Sequence, residues 1–136
     1  MGFRQVINIG QSKPVQAVLD LTNGTGADLV VECSGAPAAI PGTVELVRKR
    51  GRICVVGLTG NRPVEMPWDK FAARSVDMQF CMSTSYTSWD RAISLIHGGA
   101  VPAERIITHR VPIDQWETAF DAVDRLEALK TLIVPR

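Results

Sequence analysis

Short apolar segments alternate with helical patterns over the first hundred of the 136 residues. The segment Leu29–Val31 is apolar on both faces and stops at the small residues Cys33-Ser34-Gly35. A strand of this kind is typical of a parallel sheet that helices cover on both sides. Because α/β folds bind ligands beyond the carboxyl ends of their strands, the turn after this segment predicts a binding edge.

Four further segments have the pattern of strands. Val6–Ile9 is short and apolar, and Arg52–Val56 is a second strand that ends in glycine, at Gly57. Between Val76 and Met82 apolar and polar residues alternate, which is typical of a strand with one less protected face, at a sheet edge or a subunit contact. A final strand is predicted at Thr131–Val134. We expect consecutive parallel strands to lie side by side, since their crossovers are right-handed.

Apolar residues at helical spacing, combined with capping signals, predict four helices. In the second helix the apolar face extends to Val47, and the basic run Arg48-Lys49-Arg50 complements the helix dipole before Gly51, the predicted C-cap. Trp89 and Trp116 lie on the apolar faces of the last two helices and are expected to anchor the core. The helices are predicted to begin at or near Ser12, Ile40, Thr87 and Asp114.

The composition is that of an ordinary globular domain, with 46% hydrophobic and 21% charged residues. Fifteen basic and 14 acidic residues give a net charge of +1, so electrostatics provides no reason to expect nucleic acid or an anionic membrane as a partner. No apolar run approaches the roughly 20 residues of a membrane span, and the first residues lack the pattern of a signal peptide. These features predict a cytoplasmic protein.

Three cysteines, an odd number without a Cys-x-x-Cys pair, lie in or beside strand-like segments. We expect reduced, buried thiols, because free cysteine behaves as a small hydrophobic residue. A zinc site needs closely spaced ligands, and neither His97 nor His109 has a partner at such spacing. The cysteines are Cys33, Cys54 and Cys81.

Five segments, in order along almost the whole chain, resemble the zinc-type medium-chain dehydrogenase/reductase superfamily, the alcohol and polyol dehydrogenases. They correspond to roughly the last two-fifths of a family member. The first reads Gly-Ala-Asp-Leu-Val-Val-Glu-Cys-Ser-Gly-Ala-Pro-Ala-Ala-Ile and resembles the region of the family's fourth strand. The five segments are Gly26–Ile40, Leu46–Leu58, Tyr86–Ala92, Ile106–Pro112 and Ala128–Pro135.

The resemblance implies an α/β fold, an incomplete Rossmann-like parallel sheet. The family's strand order is 3-2-1-4-5-6, of which this chain would keep strands 3 to 6, with strand 3 near Val6. Residues 1–105 would form the partial dinucleotide-binding domain, and residues 106–136 a C-terminal return segment of the catalytic domain. Without strands 1 and 2, Leu29–Cys33 would be an unpaired apolar edge. We therefore expect a homodimer, a complementing N-terminal half, or rearrangement or aggregation of the isolated chain.

In the family, NAD(P) crosses the carboxyl ends of these strands, and seven positions of this chain match its cofactor contacts. Plain turn glycines and a solvated surface lysine remain alternative interpretations for three of them, Gly35, Gly57 and Lys130. By resemblance, Ser34 and Gly35 flank the ribose on the nicotinamide side, Val56 and Gly57 lie by the nicotinamide, main-chain groups near Cys81 and Ser83 meet the carboxamide, and Lys130 approaches the pyrophosphate.

The family's remaining machinery has no counterpart in this sequence. The family's glycine-rich phosphate turn and the residue after its strand 2 that selects NAD or NADP are missing. Its zinc ligands and its proton relay belong to the N-terminal half. The resemblance thus implies the C-terminal part of an NAD(P)-dependent zinc-type alcohol or polyol dehydrogenase, truncated and inactive alone, with no catalytic residue and no metal ligand of its own. A catalytically silent dimerisation or dinucleotide-binding remnant, and a zinc-independent reductase of the superfamily, are the alternatives. The substrate, a small-molecule alcohol, and the choice of NAD or NADP stay open.

Overall fold

The computed structural model describes residues 3–136, which divide into two compact units, Arg4–Ser83 and Thr84–Arg136. The first unit contains a three-stranded parallel sheet in the order β1-β2-β3, with three helices. Its elements are α1 (Pro14–Leu21), β1 (Ala27–Glu32), a 3-10 turn (Ile40–Gly42), α2 (Thr43–Leu46), β2 (Val47–Val55), α3 (Trp68–Arg74) and β3 (Asp77–Phe80).

One face of this sheet is covered and the other is open. Helices α2 and α3 cover Ile53 and Val55, forming a small core whose most deeply buried side chains are Val44, Val47 and Ile53. Each such side chain contributes about 1.5–3 kcal/mol by leaving water. On the open face Leu29 and Val31 are each 52% exposed, although the sequence predicted a sheet covered on both sides.

The predicted order of the strands is confirmed, since each strand pairs with the next one along the chain. Strand β1 pairs only with β2 within residues 3–136 and is an edge of the sheet, as predicted. The prediction of a strand at Val6–Ile9 is wrong. Within residues 3–136 this segment pairs with no other strand and remains irregular. Val6 and Ile9 are both largely exposed.

The second predicted helix is much shorter than expected, because it ends at Leu46 and Val47 begins strand β2. Contacts from other elements hold the basic run in the strand: Arg48 Nε donates to Asp28 Oδ1 at 2.6 Å, and Arg74 Nη1 donates to the carbonyl of Val47 at 3.0 Å. Gly51 is therefore a buried strand residue and not a helix C-cap.

The register between β1 and β2 shifts beside this basic run. Ala27 lies opposite Val47, yet Leu29 lies opposite Arg52, so β2 contains a bulge between these two pairs. Arg50 lies in the bulge with a φ of 56°, a left-handed conformation that is uncommon outside glycine. Beyond the bulge, β2 pairs with β1 in a regular parallel register, which ends with Glu32 opposite Val55.

The second unit consists of a two-stranded parallel sheet with α5 packed on it, and α4. The predicted strand at Thr131–Val134 is confirmed, and its partner at His109–Pro112 is a strand that the sequence pattern missed. The elements are α4 (Tyr86–His97), a 3-10 turn (Ala103–Ile106), β4 (His109–Pro112), a second 3-10 turn (Ile113–Gln115), α5 (Trp116–Asp124) and β5 (Thr131–Val134).

The helix caps differ from the predicted ones. Helix α1 follows Lys13, not Ser12, and begins with a proline, which needs no hydrogen-bond partner at this position. Helix α4 is capped by Ser85, whose Oγ accepts from the amide of Ser88 at 3.2 Å, and not by Thr87. The carboxylate of Asp114 does not cap α5, because it pairs with Arg136 instead.

The two tryptophans predicted to anchor the core lie on the surface of this chain. Trp89 is 60% and Trp116 is 50% exposed, so that prediction is wrong. Trp116 packs edge-to-face on Phe120 at a ring-centroid distance of 5.8 Å, while Ala119 is the buried residue of α5. Every helix within residues 3–136 falls short of the length and apolar character that crossing a bilayer requires.

Candidate functional site

A buried carboxylate holds the turn that follows β1. Glu32 is 5% exposed, and its carboxylate accepts hydrogen bonds from the amide of Ser34 at 2.9 Å and the amide of Gly35 at 3.1 Å, and from the Ser34 hydroxyl. Burial acts to raise the pKa of Glu32, but these hydrogen bonds outweigh it and hold the pKa below its usual range. The side chain is therefore a charged acceptor at the carboxyl end of the strand.

The same residue joins this turn to the one after β2. The main-chain carbonyl of Glu32 accepts from the amide of Val56 at 2.8 Å and from the amide of Gly57 at 3.0 Å. Sequence patterns did not single out Glu32; the available signal was one acidic residue at the end of an apolar strand, directly before a turn of small residues. Such a residue is buried only when its charge is compensated.

Gly35 and Gly57 are required for the two turns to touch. A Cβ on Gly57 would meet the Cα of Gly35 at 2.8 Å and would collide with the Glu32 carboxylate. Gly35 has a φ of 60°, and a Cβ there would lie 2.8 Å from the amide nitrogen of Leu58. Both glycines are turn residues, and their small size allows one backbone to pack directly on the other.

The end of β3 lies beside the end of β2. The amide of Cys81 donates to the carbonyl of Val55 at 2.8 Å, so the parallel pairing continues one residue beyond β3. Ser83 follows on the surface with a φ of 62°. Six of the seven residues singled out from the sequence therefore lie at the carboxyl ends of three adjacent strands: Ser34, Gly35, Val56, Gly57, Cys81 and Ser83.

A mainly apolar cavity of about 510 Å³ opens beside these strand ends. Val55 and Gly57 lie on one side, and Met78 and Phe80 from β3 lie on another. A planar aromatic or heteroaromatic group fits apolar walls of this type, while the nearby main-chain groups can orient its polar substituents. The ring end of a nicotinamide dinucleotide fits the residues present.

The seventh residue, Lys130, lies in the second unit directly before β5. Its carbonyl accepts from the amide of Thr108 at 3.0 Å.

Zinc does not fit the residues present. Within residues 3–136 no three His, Cys, Asp or Glu side chains are placed to hold a metal ion. Cys33 is exposed, whereas Cys54 and Cys81 are half-buried, so the expectation of buried thiols is wrong for Cys33 and is met only in part for the other two. Glu32 does not provide a ligand either, because its carboxylate oxygens are used by the turn amides.

A family model described as zinc-binding dehydrogenase matches residues 1–98. A sorbitol dehydrogenase of Halalkalibacterium halodurans is 33% identical over 135 residues, which cover 99% of this chain and 39% of that protein. A D-arabitol-phosphate dehydrogenase of Enterococcus avium is 29% identical, with 98% of this chain and 38% of that protein covered. The chain thus spans about two-fifths of the length of these relatives.

The fold is similar to that of solved alcohol dehydrogenases. The structure of an alcohol dehydrogenase from Thermus sp. ATN1 superposes with a TM-score of 0.85 at 31% identity, over 96% of this chain and 38% of that one. These matches support the expected correspondence to a C-terminal portion and to an incomplete Rossmann-like sheet.

Proposed function

Because the chain belongs to the zinc-binding dehydrogenase family, we propose that it is the C-terminal part of an NAD(P)-dependent alcohol or polyol dehydrogenase of the cytoplasm. Its relatives are named for sorbitol and for an arabitol phosphate, which favours a small polyol as the substrate class. We assign residues 1–105 to a partial dinucleotide-binding domain and residues 106–136 to a return segment of the catalytic domain.

The observation that carries this proposal is the Glu32 carboxylate that holds the glycine turn after β1. Glu32 compensates its own burial with turn amides and also holds the second turn, through Gly57, against the first. Two turns fixed in this way at the carboxyl edge of a parallel sheet form one wall of a ligand crevice. In this arrangement Ser34 and Gly35 face the ribose and Val56 and Gly57 the nicotinamide.

The remaining contacts of this wall come from the end of β3, where main-chain groups near Cys81 and Ser83 would bind the carboxamide. For Lys130 we propose, independently of this wall, that its ammonium pairs with a pyrophosphate, for which a cation is suited. The bound dinucleotide supplies the hydride acceptor. This chain's own residues bind and orient it, and the mainly apolar cavity provides walls for the ring.

A second polypeptide segment completes the site. Strand β1 has an open edge, and its open face carries Leu29 and Val31, which a further strand and helix would cover. Among residues 3–136, moreover, none are placed to hold the zinc of the family. We therefore propose that it is inactive alone and acts with a complementing N-terminal half, or that its open edge pairs in a homodimer.

A chimera tests the proposal. The corresponding C-terminal segment of the H. halodurans sorbitol dehydrogenase is replaced by this chain, and NAD-dependent oxidation of sorbitol and related polyols is measured. We expect measurable turnover that is lost with Gly57→Ala and kept with Gly42→Ala, where a Cβ meets no atom within 4 Å. A folded chimera without any dinucleotide binding would overturn the proposal.

The isolated chain provides the second half of the test. Calorimetric titration with NADH is expected to give no binding tighter than about millimolar, because a complete crevice needs the other segment. Tight binding by the isolated chain, together with a chimera that binds NADH but has no turnover, would favour the second candidate. That candidate is a catalytically silent dinucleotide-binding or dimerisation module, and the exposed apolar face of β1 favours it.

A further inference from the structure

Two cysteines from adjacent strands touch through their sulfur atoms. Cys54 Sγ and Cys81 Sγ lie 3.3 Å apart, across the boundary between β2 and β3. In the strand register Cys54 lies opposite Gln79, so Cys81, two residues later and just beyond the end of β3, lies on the same face of the sheet. The sequence separates them by 27 positions, and only the parallel pairing brings them together.

The pair lies on the open face of the sheet. Cys54 lies opposite Val31 of β1, which is half-exposed, and both cysteines are only half-buried themselves. A small polar solute can therefore reach the sulfur atoms, whereas the covered face contains the apolar core. The proposed function uses the main chain near Cys81 and leaves both thiol groups without a role.

We propose that Cys54 and Cys81 form an oxidisable dithiol, a modification site at which a peroxide closes a disulfide between β2 and β3. The bond formation itself does not depend on the proposed dehydrogenase function. Its effect on dinucleotide binding does, since Cys81 and Ser83 lie at the proposed carboxamide position.

The reaction with hydrogen peroxide balances in two steps. The thiolate of Cys81 attacks one peroxide oxygen, the O–O bond breaks, and a sulfenic acid forms while the departing hydroxide takes up a proton to become water. The sulfur of Cys54 then attacks the sulfenic sulfur, the S–O bond breaks, and the Cys54 proton leaves with the hydroxide as the second water. Two thiols lose two electrons, and one peroxide gains them.

The environment of the pair assigns these roles. The hydrogen bond with Cys81, together with burial, raises the pKa of the Cys54 thiol. Cys54 is therefore the less easily deprotonated thiol of a pair in which either sulfur can donate, which favours Cys81 as the nucleophile and Cys54 as the resolving thiol. Cys33, which is exposed and directly follows β1, contacts no other sulfur within residues 3–136 and provides a matched control.

Closing the bond moves the strands. The sulfur atoms must approach from 3.3 Å to about 2.05 Å, and the diagonal between such positions in a flat parallel sheet spans about 8 Å between Cα atoms. This exceeds the usual 4.4–6.8 Å of disulfides, so the bond draws the end of β3 towards β2 and is easily reduced. We therefore expect the cross-link to be reversible and to be reduced readily by mild thiols.

Peptide mapping after peroxide treatment tests the proposal, because the three cysteines fall on separate tryptic peptides. The reduced protein is treated with a small molar excess of hydrogen peroxide, remaining thiols are alkylated, and the digest is analysed by mass spectrometry. We expect the peptides Ile53–Lys70 and Ser75–Arg91 to be joined, with the loss of two hydrogen atoms, and to separate again with dithiothreitol. Cys33→Ser is expected to give the same cross-link.

The single variants separate the two roles. Cys54→Ser should stop at a sulfenic acid on Cys81 that dimedone traps, whereas Cys81→Ser should leave Cys54 unoxidised over the same time. The proposal is overturned if the thiols of Cys54 and Cys81 can still be fully alkylated after peroxide treatment. It is also overturned if the cross-link forms through Cys33. Turnover of the chimera is measured separately, so failure of the dithiol leaves the proposed function standing, and the reverse holds too.

Discussion

The main-chain carbonyl of Glu32 accepts the amide of Gly57 at 3.0 Å, while the side chain of Glu32 lies directly against the same glycine. One residue of β1 thus fixes the turn after β2 through both its backbone and its carboxylate. The side chain also holds its own turn through the amide of Gly35. Any change at this point therefore affects the positions of two turns together.

Gly57→Ala is expected to destabilise the first unit by about 1–3 kcal/mol, because the added methyl group overpacks the contact with Gly35 and Glu32. The midpoint and slope of urea unfolding measure the change. Gly42→Ala is the matched control, since its methyl group enters open space, and it is expected to be neutral or slightly stabilising. Equal stability of the two variants would contradict the close packing of the turns.

Glu32→Gln should change how the free energy of unfolding depends on pH. The pKa of Glu32 is lower in the folded chain than in the unfolded one, so its stabilisation is complete above the unfolded value of about 4.3 and is lost as the pH falls through the folded value. The variant is expected to lose stability at neutral pH and to show a shallower decline in acid. Unfolding free energies measured from pH 7 down to about pH 3 test this.

Glu65→Gln is the control for that experiment, because Glu65 is exposed and makes no hydrogen bond or ion pair within residues 3–136. This variant should leave the free energy of unfolding at neutral pH unchanged. Glu45 contributes a decline of the same sign, since its hydrogen bond with Lys70 lowers its pKa, so some acid dependence must remain in Glu32→Gln. If the free energy of unfolding falls equally with decreasing pH in the wild type and in Glu32→Gln, the proposed role of the carboxylate is refuted.

The sequence predicted those elements whose signal is local. Strand β1 and the strand at Thr131–Val134 are continuous apolar runs with turn residues beside them, and both formed as expected. The helix predicted through Val47 failed for a physical reason. Val47 would be buried at the end of a helix as well as at the start of a strand, so the apolar pattern could not distinguish the two. The strand is held by contacts between residues distant in sequence, from Arg48 to Asp28 and from Arg74 to the carbonyl of Val47.

The site was predictable in outline and not in its chemistry. The glycine turns after the apolar strands located the carboxyl edge, which is why Gly35 and Gly57 were singled out. Glu32 escaped notice because most of the partners of its carboxylate are main-chain amides, which no side-chain pattern reveals. The contact between Cys54 and Cys81 likewise depends on strand register, which the separate strand patterns leave undetermined.

A pair of ion-pair variants compares two cations on one carboxylate. Arg74 donates to Glu45 Oε2 at 3.2 Å and also to the Val47 carbonyl at 3.0 Å, whereas Lys70 contacts Glu45 alone, at 2.6 Å. Arg74→Ala is therefore expected to cost about 1–3 kcal/mol, because it also removes a hydrogen bond to the carbonyl of the buried residue Val47. Lys70→Ala should cost less than about 1 kcal/mol, as exposed ion pairs do. Thermal or urea unfolding measures the stability that each variant loses. A loss in Lys70→Ala as large as that in Arg74→Ala, or larger, would show that the hydrogen bond to Val47 is unimportant.

Self-association of the chain should depend on the open face of β1. Replacing both Leu29 and Val31 with lysine places charges on an edge strand, a substitution that opposes pairing with another chain. We expect sedimentation velocity to show less dimer or aggregate than in the wild type at equal concentration. Val6→Lys removes an exposed apolar side chain elsewhere and should leave association unchanged. A strictly monomeric wild type with cooperative unfolding would contradict the premise.

The parallel pairing of the strands has a further consequence, for the kinetics of folding. Each strand pair within residues 3–136 is parallel, and parallel strands cannot be joined by a tight hairpin. Long loops must therefore close before any sheet contact forms, which places folding in the slower range of small domains. During this search the edge of β1 is available to other chains as well as to β2. Refolding yield should consequently fall as protein concentration rises, even where the rate of folding itself stays constant.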